Sequence, residues 1–448
     1  MEESMNPRTP NDRPGVCGTI VVAQAAWHGL FWLVFANGIG VLLAVLLLDS
    51  SLNPVLGEWS YGRWMMVHMN LELYGWTSLP LVGYLFHVYG AGRGSTARWC
   101  RPVLWVWSGS LGVGAVSWLT GHSSGKLFLD WSGYARIFFS DTLFAFWFLL
   151  VVALVANWKT GDGTTVAAWA AKLSGLAILL SVPFALFIAS SPNGYPPINP
   201  STGGPTGASQ LESSLAIVLI ALVLPLGIAK RKLRKSRVIQ LGWTMLAIHA
   251  LFCGALGRTD ASHHDPLQYL GLASILVWLF VVPAYYGAFE WHAGARRWRI
   301  AVLWWWAALL ITGTILFFPG VLDHFKFTDG LVGHSFVAMA GFGSSLIILV
   351  TVQLLGDGAW IFNRARTFYL WHGAVIAYII VVTIAGWREG FDPAFTIVPG
   401  LARSTLYLLR LITGIVMLYA SIDWLVDCAR LLRELKPVPE LIELEKTA

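Results

Sequence analysis

Four histidines that could bind a metal lie at similar depths in three apolar segments of this chain. His263 and His264 are adjacent at the start of one segment, while His68 and His334 lie one to two turns inside two others. Imidazole is the commonest protein ligand for haem iron, copper and non-haem iron. Because 4 of the 11 histidines gather at one depth, their types and spacing predict redox metal chemistry there.

Two kinds of metal site are open to these residues. His68 and His334 come from separate helices, as the two axial ligands of a haem b do, and His263 and His264 could both reach one ion. The alternatives are structural: a lone histidine in an apolar helix is often a hydrogen-bonded core residue, and a histidine pair beside Asp260 and Asp265 can be a hydrated loop. Sequence leaves open whether His334 pairs with His68 or faces a separate haem.

The elements that must position these histidines are membrane-spanning helices. Hydrophobic residues make up 56% of the chain and charged residues 12%, and the apolar runs are long enough to cross hydrocarbon. A backbone in lipid must satisfy its own hydrogen bonds, so runs of this length are helices. The pattern predicts twelve spans, at roughly 22–49, 64–90, 102–121, 134–157, 166–190, 209–229, 238–257, 266–290, 299–320, 328–355, 366–387 and 399–425.

The predicted fold class is therefore an all-α, polytopic membrane protein with one domain. A twelve-helix transmembrane domain covers 22–425, between an N-terminal tail at 1–21 and a C-terminal tail at 426–448. Lysine and arginine concentrate in alternate loops, most densely at 230–237, and 191–210 has neither. The positive-inside rule then places both tails in the cytoplasm and the four histidines near the opposite face. The net charge of +6 is explained by this asymmetry and requires no nucleic-acid partner.

Several short motifs occur in an order that indicates a family. They are His68 to Trp76 in the second span, Gly121-His122-Ser123-Ser124-Gly125-Lys126 with Leu129-Asp130-Trp131 after the third, His249 in the seventh, Val332-Gly333-His334 in the tenth, Thr367 to Gly390 in the eleventh and Leu409 to Gly414 in the twelfth. Together they resemble subunit I of the haem-copper oxidase superfamily, closest to the C-type (cbb-type) cytochrome c oxidases and the nitric oxide reductases. The likeness covers nearly the whole chain.

The resemblance implies a haem-binding subunit of a respiratory complex in a bacterial-type inner (cytoplasmic) membrane. One or two haems b would be bound by His68 and His334. Copper or non-haem iron would be bound by the His263–His264 pair. Electrons would come from a cytochrome c or another redox subunit at the periplasmic face, since the chain has no C-x-x-C-H motif for covalent haem. A hetero-oligomeric complex surrounded by membrane lipids is expected.

Three departures from the family pattern predict a degenerate dinuclear centre. The tenth span carries Phe336 where the family has the second histidine of His-x-His. The sixth span reads 210–214 without the family's histidine, and 254–257 lacks the redox tyrosine of the C-type oxidases. Without these groups a copper of the usual kind would be weakly held, and two haems could not both keep their usual axial ligands. Electron transfer without standard oxygen reduction is the expected function.

Two other functions stay open. Glu212 with His263 and His264 would give two imidazoles and one carboxylate, a set that suits non-haem iron. Nitric oxide reductases use a comparable site, so an active, divergent oxygen or nitric oxide reductase is one alternative, and the enzyme class would then be an oxidoreductase. The other alternative is a haem-free structural or transport protein that keeps only the helical scaffold.

Overall fold

A computed structural model describes residues 16–158, 165–191, 193, 207–233, 236–256 and 265–435. Within these ranges, the side chains at 16, 17, 167 and 207–213 are outside the description. The predicted ligands His263 and His264 and the side chain of Glu212 therefore lie outside the described residues.

The described chain is almost entirely helical. The helices are α1 Val16–Leu48, α2 Tyr61–Leu71, α3 Leu79–Tyr89, α4 Ala97–Leu119, α5 Gly133–Ala156, α6 Val166–Ala189, α7 Gly207–Ile228, α8 Arg237–Leu256, α9 Pro266–Ala273, α10 Trp278–Gly287, α11 Arg296–Leu316, α12 Val321–Phe325, α13 Asp329–Phe336, α14 Ser344–Leu355, α15 Ala365–Phe391 and α16 Leu401–Glu434. Two short antiparallel strands, β1 Lys230–Arg231 and β2 Phe289–Glu290, join the ends of two helices. This composition confirms the all-α class.

Ten helices among the described residues are long and apolar enough to cross a membrane. Each coincides with one of the predicted spans. The other two predicted spans, 64–90 and 209–229, coincide with the α2–α3 segment and with α7, of which Ser214–Ile228 is a shorter apolar helix. The hydrophobic surface of the ten helices is the basis for assigning the chain to the polytopic membrane proteins.

The helices run up and down between two ends of a bundle. The loop end carries residues 120–132 and 317–328, and the basic end carries residues 90–96, 229–233 and 288–295. Helix α1 is central, since it packs against α2, α3, α4, α14 and α16. Large buried aromatic side chains, including Trp118, Trp278 and Trp306, fill the space between helices on both sides of α1.

Two of the spans are interrupted by π-helical turns, Glu72–Thr77 between α2 and α3 and Val337–Gly343 between α13 and α14. Pro80 has no N–H to donate back into the first turn. The hydroxyls of Thr77 and Ser78 donate to the carbonyl oxygens of Glu72 and Leu73 within the turn, at 2.6 and 2.8 Å. Side-chain donors therefore satisfy backbone acceptors that a regular helix would pair, as a membrane interior requires.

The two π-helical turns meet in the interior of the bundle. The indole N–H of Trp76 in the first turn donates to the hydroxyl of Ser344, which follows the second, at 2.8 Å. Each turn also has a glycine against a tryptophan of another helix. A Cβ on Gly75 would lie 2.5 Å from Trp32, and one on Gly341 would lie 2.5 Å from Trp305. Such turns are frequent at functional sites, and they fix the helices that carry His68 and His334.

Candidate haem-ligand site

His68 is held on α2 by a backbone group of α1. Its Nδ1 lies 2.8 Å from the carbonyl oxygen of Ala36, and a carbonyl can only accept, so Nδ1 carries the proton. In the neutral imidazole the lone pair is then on Nε2. One turn along α1, a Cβ on Gly40 would lie only 3.1 Å from the Cε1 atom of His68. The imidazole thus packs against the small residues Ala36 and Gly40 of α1, and Nε2 is the ring nitrogen that could act as a ligand.

His334 has the same tautomer for a different reason. Its Nδ1 lies 3.1 Å from the Thr312 hydroxyl on α11, and that hydroxyl donates its one proton to the carbonyl oxygen of Ala308 at 2.7 Å. With the hydroxyl proton assigned to Ala308, the hydroxyl accepts from Nδ1–H, and the lone pair of His334 is assigned to Nε2. Gly313, next to Thr312, is the close neighbour here, since its Cβ would lie 3.4 Å from the imidazole.

A cavity of about 120 Å³ lies beside His334, between α7, α9, α11 and α13. Its lining is apolar apart from three groups, the His334 imidazole and the hydroxyls of Ser214 and Thr314. The other lining residues are Ile217, Leu272, Ile275, Trp306, Leu309, Leu310, Gly313 and Phe317. Ser214 follows Glu212 by two residues on α7, so the cavity lies close to the backbone that carries this predicted ligand.

Two other buried histidines have the opposite arrangement of protons. The indole N–H of Trp278 donates to Nδ1 of His249 at 2.8 Å, and Nε2 of His249 donates to Ser274 at 2.6 Å, so both ring nitrogens are occupied. The indole N–H of Trp305 donates to Nδ1 of His372 at 3.0 Å, which places the remaining proton on Nε2. His249 and His372 therefore have no free lone pair, and their bonds are those of structural histidines.

Phe336 occupies the position at which the resembled family has its second tenth-span histidine. Its ring stacks on Tyr378 of α15, with ring centres 4.0 Å apart. The Tyr378 hydroxyl accepts from Nε of Arg410 at 3.0 Å, and Arg410 is close enough to His68 to interact with it electrostatically. Residue 336 thus faces the side of α13 on which His68 lies, whereas His334 faces α11. The two imidazoles contact different helices.

Arg410 forms a buried ion pair that the sequence interpretation did not assign. Its Nη1 lies 2.8 Å from the carboxylate of Asp329 at the start of α13. The backbone N–H of Asp329 donates to Glu389 at 2.7 Å, and the Tyr407 hydroxyl donates to the same carboxyl at 3.3 Å. The signal was available in principle, because charged residues within apolar spans usually pair with one another. Sequence could not say which residues pair.

Glu72 is a second group that the sequence interpretation passed over. It follows His68 by four residues, on the same face of the helix. Its carboxyl makes no ion pair or hydrogen bond with the described part of the chain, yet it is surrounded by protein and keeps some accessible surface. A carboxyl in such a position is costly and is usually functional.

The loop of residues 120–132 closes the loop end over the second span. Asn70, two residues after His68, donates to the carboxylate of Asp130 at 2.8 Å. Lys126 donates to the carbonyl oxygens of Ala189 and Ser191 at 2.7 and 2.5 Å. Burial raises the pKa of the Asp130 carboxyl, and the bond from Asn70 partly opposes that shift. The loop thereby excludes water from the end of α2.

The described residues contain no cluster of three or more histidine, cysteine, aspartate or glutamate side chains arranged to hold a metal ion. The predicted set of His263, His264 and Glu212 lies outside that part of the chain and stays a prediction. The two sites that are described each offer one imidazole. A single axial imidazole is enough to hold a haem iron, as in globins and peroxidases, but not a copper or zinc ion of the usual coordination.

The fold and the apolar helices define the class of this protein as a multi-pass, all-α membrane protein. No protein-family model matches the chain, and none of the curated proteins matches it.

Proposed function

We propose that the chain is a haem-binding subunit of a membrane redox complex, built on a scaffold like that of haem-copper oxidase subunit I. In this proposal the chain has twelve spans, with both termini cytoplasmic, in a bacterial-type inner membrane. Its function is electron transfer, and its dinuclear centre is degenerate. Electrons reach it from a cytochrome c or another redox subunit at the periplasmic face.

The observation that carries the proposal is the hydrogen bonding of Nδ1 in the two histidines. At both His68 and His334 the Nδ1 atom is a hydrogen-bond donor to another helix, so Nε2 is the free lone pair. Histidines that bind metals almost always donate their other N–H in this way, which fixes ring orientation and tautomer. Two of the three buried histidines with no predicted haem role, His249 and His372, lack this arrangement, whereas Nδ1 of the third, His28, lies 2.8 Å from the Ser108 hydroxyl of α4.

The donor chemistry of the two positions fits haem b iron, with His68 and His334 each as an axial ligand. Bound haem would supply one-electron transfer. The chain's own residues orient the imidazoles through Ala36 and Thr312 and keep water from α2 through the 120–132 loop. The cavity beside His334 is smaller than the ~300–1,000 Å³ of usual ligand pockets. Side chains such as Leu310 and Phe317 must therefore move to admit a macrocycle there.

The degenerate centre follows from what surrounds these ligands. Phe336 offers no lone pair, so residue 336 could not supply a second ligand to a haem held by His68. His249 is committed to Trp278 and Ser274 and is not free to bind copper. A resident copper would depend on His263 and His264 alone among the histidines, which is too few for a stable site.

An active oxygen or nitric oxide reductase is the second candidate, and one observation favours it. Ser214, two residues after Glu212, lines the same cavity as His334, so the α7 backbone that carries Glu212 comes close to a proposed haem-ligand position. A non-haem iron held by Glu212, His263 and His264 would then face that haem. Metal analysis with turnover assays decides between the two. Iron with nitric oxide turnover, lost in Glu212→Ala, supports the reductase, and no metal beyond haem iron supports electron transfer.

The proposed topology gives a prediction that is independent of any cofactor. Reporter fusions placed in residues 191–208 and at the C-terminus are expected to report opposite sides of the membrane. The reason is the lysine and arginine asymmetry of the loops. Alkaline phosphatase and green fluorescent protein fusions measure this directly. Fusions that report the same side would overturn the twelve-span arrangement and the depth assigned to every histidine.

Thr312 provides a test of how His334 is oriented. Thr312→Val removes the acceptor of His334 Nδ1–H while keeping side-chain volume, and we expect haem affinity at His334 to fall about 10–100-fold. Thr312→Ser keeps the hydroxyl and should restore binding. Thr314→Val is the matched control, since Thr314 lines the same cavity but bonds only to Leu310. Haem titration followed by absorbance measures all three. Equal affinity in Thr312→Val and wild type would contradict the assigned bond.

A further inference from the structure

A second cavity, of about 220 Å³, opens at the basic end of the bundle. It lies between the start of α1, the end of α3 and the end of α14. Its lining residues are Gly18, Thr19, Val21, Phe86, His87, Gly90, Gly92, Arg93 and Leu354. The inner wall is apolar, and the outer rim carries the imidazole of His87 and the guanidinium of Arg93. The cavity lies at the opposite end of the bundle from the 120–132 loop. It shares no lining residue with the cavity beside His334.

The ionisable side chains that the structure describes at this cavity are basic. Lys172 of α6 is close enough to interact electrostatically with both His87 and Arg93, and Arg93 also acts on His87. No carboxylate is among the residues that line the cavity in the described part of the chain. Like charges repel, so an anion bound beside Arg93 and Lys172 would be stabilised by both, and the neutral imidazole of His87 could donate a hydrogen bond to it.

Three of the residues that line the cavity are glycines, which have no side chain to fill it. Gly18 has nothing within 4 Å of a would-be Cβ, so a side chain there would enter open space. Gly90 ends α3 in the left-handed conformation, with φ of 70°, and Asn157 of α5 donates to its carbonyl oxygen at 3.2 Å. The turn that presents Arg93 is therefore anchored. The rim is a fixed part of the fold.

We propose that this cavity binds the phosphate group of an anionic phospholipid from the leaflet at the basic end. A phosphate with its negative charge fits the guanidinium of Arg93 and the ammonium of Lys172, and basic pockets between transmembrane helices bind such headgroups. The apolar wall of Val21, Phe86 and Leu354 fits the glycerol and first acyl carbons, which a free phosphate ion does not have. This inference is independent of haem binding.

Lipid retention tests the proposal. The chain is purified, incorporated into nanodiscs of phosphatidylglycerol and phosphatidylcholine, released, and analysed by native mass spectrometry for bound lipid. We expect one tightly retained phosphatidylglycerol per chain, and about fivefold weaker retention in Arg93→Gln, from ~1 kcal/mol per cation. The matched control is Arg98→Gln, whose exposed side chain lies beside Trp99 and does not line the cavity. Equal retention in Arg93→Gln and Arg98→Gln overturns the proposal.

A steric variant separates the site from general surface charge. Gly18→Leu fills the cavity without changing any charge, and we expect it to abolish the retained phosphatidylglycerol. Gly109→Leu, at another glycine with open space around it, should leave it in place. Unchanged retention in Gly18→Leu rules out this cavity. Inorganic phosphate is added in a parallel arm. Displacement of the lipid only at high phosphate concentration supports a lipid site, whereas phosphate binding without any preference for phosphatidylglycerol overturns it.

Discussion

Replacing His68 with alanine is expected to remove one haem from each chain. Nδ1 of His68 is bonded to Ala36 and Nε2 would be the ligand atom, so loss of the imidazole would leave the iron without its ligand from the second span. Ala36 and Gly40 stay in place, so the helices keep their packing. Haem content per chain, measured by the pyridine haemochrome assay after size-exclusion chromatography, gives the result directly.

His249→Ala is the control for this experiment. His249 is also a buried intramembrane histidine, but both of its nitrogens are bonded within the protein. Its loss should therefore lower the thermal midpoint of unfolding through two broken buried hydrogen bonds, at about 1–3 kcal/mol for each partner left unsatisfied. Its haem content per folded chain should not change. An unaltered haem content in His68→Ala, or the same loss in His249→Ala, would show that His68 is a core residue and not a ligand.

The largest effect on stability is expected at Asp329. Asp329→Ala leaves the guanidinium of Arg410 buried without its carboxylate, and removing one partner of a buried pair costs about 3–5 kcal/mol. Glu389 and Tyr407 lose a neighbour in the same network. Unfolding by sodium dodecyl sulfate in mixed micelles, followed by tryptophan fluorescence, measures the change in the free energy of unfolding.

Two further variants make this result specific. Glu58→Ala breaks an exposed ion pair with Arg63, whose atoms are 3.4 Å apart, and should cost about 1 kcal/mol or less. The double variant Asp329→Ala with Arg410→Leu removes both buried charges and should recover part of the lost stability, because an apolar pair avoids the cost of an unpaired charge. A cost for Asp329→Ala no larger than that for Glu58→Ala would contradict the assigned role of the ion pair.

The sequence was sufficient to predict the helices because the lipid environment requires an apolar run to be helical. An apolar run of about 20 residues in a chain of this composition forms a spanning helix whatever its neighbours are. The spans that departed from a simple helix did so where a side chain intervenes. Pro80 interrupts the second span, and the turn after Phe336 accommodates Trp305 against Gly341. Hydropathy does not register such contacts, since they depend on which helices lie side by side.

The candidate site was predictable only in part. His68 and His334 were identified from residue type and depth, but their tautomers depend on Ala36 and Thr312, which lie 32 and 22 residues away along the chain. The pairing of Arg410 with Asp329 and of Asp130 with Asn70 likewise depends on tertiary packing and could not be predicted from the sequence. Glu72 could have been singled out as a lone carboxyl in an apolar span. Its position beside His68 follows from a spacing of four residues on one helix.

The absorption spectrum of the purified chain tests the central claim most directly. The chain is produced in a host that synthesises haem b, purified in mild detergent, and measured in the oxidised state, after reduction, and after reduction with carbon monoxide. Binding through His68 and His334 predicts a Soret band, with a ferrous form that shifts on adding carbon monoxide because Phe336 leaves the iron without a second imidazole. A folded, monodisperse protein with no Soret band would contradict haem binding and leave the helical scaffold without a redox role.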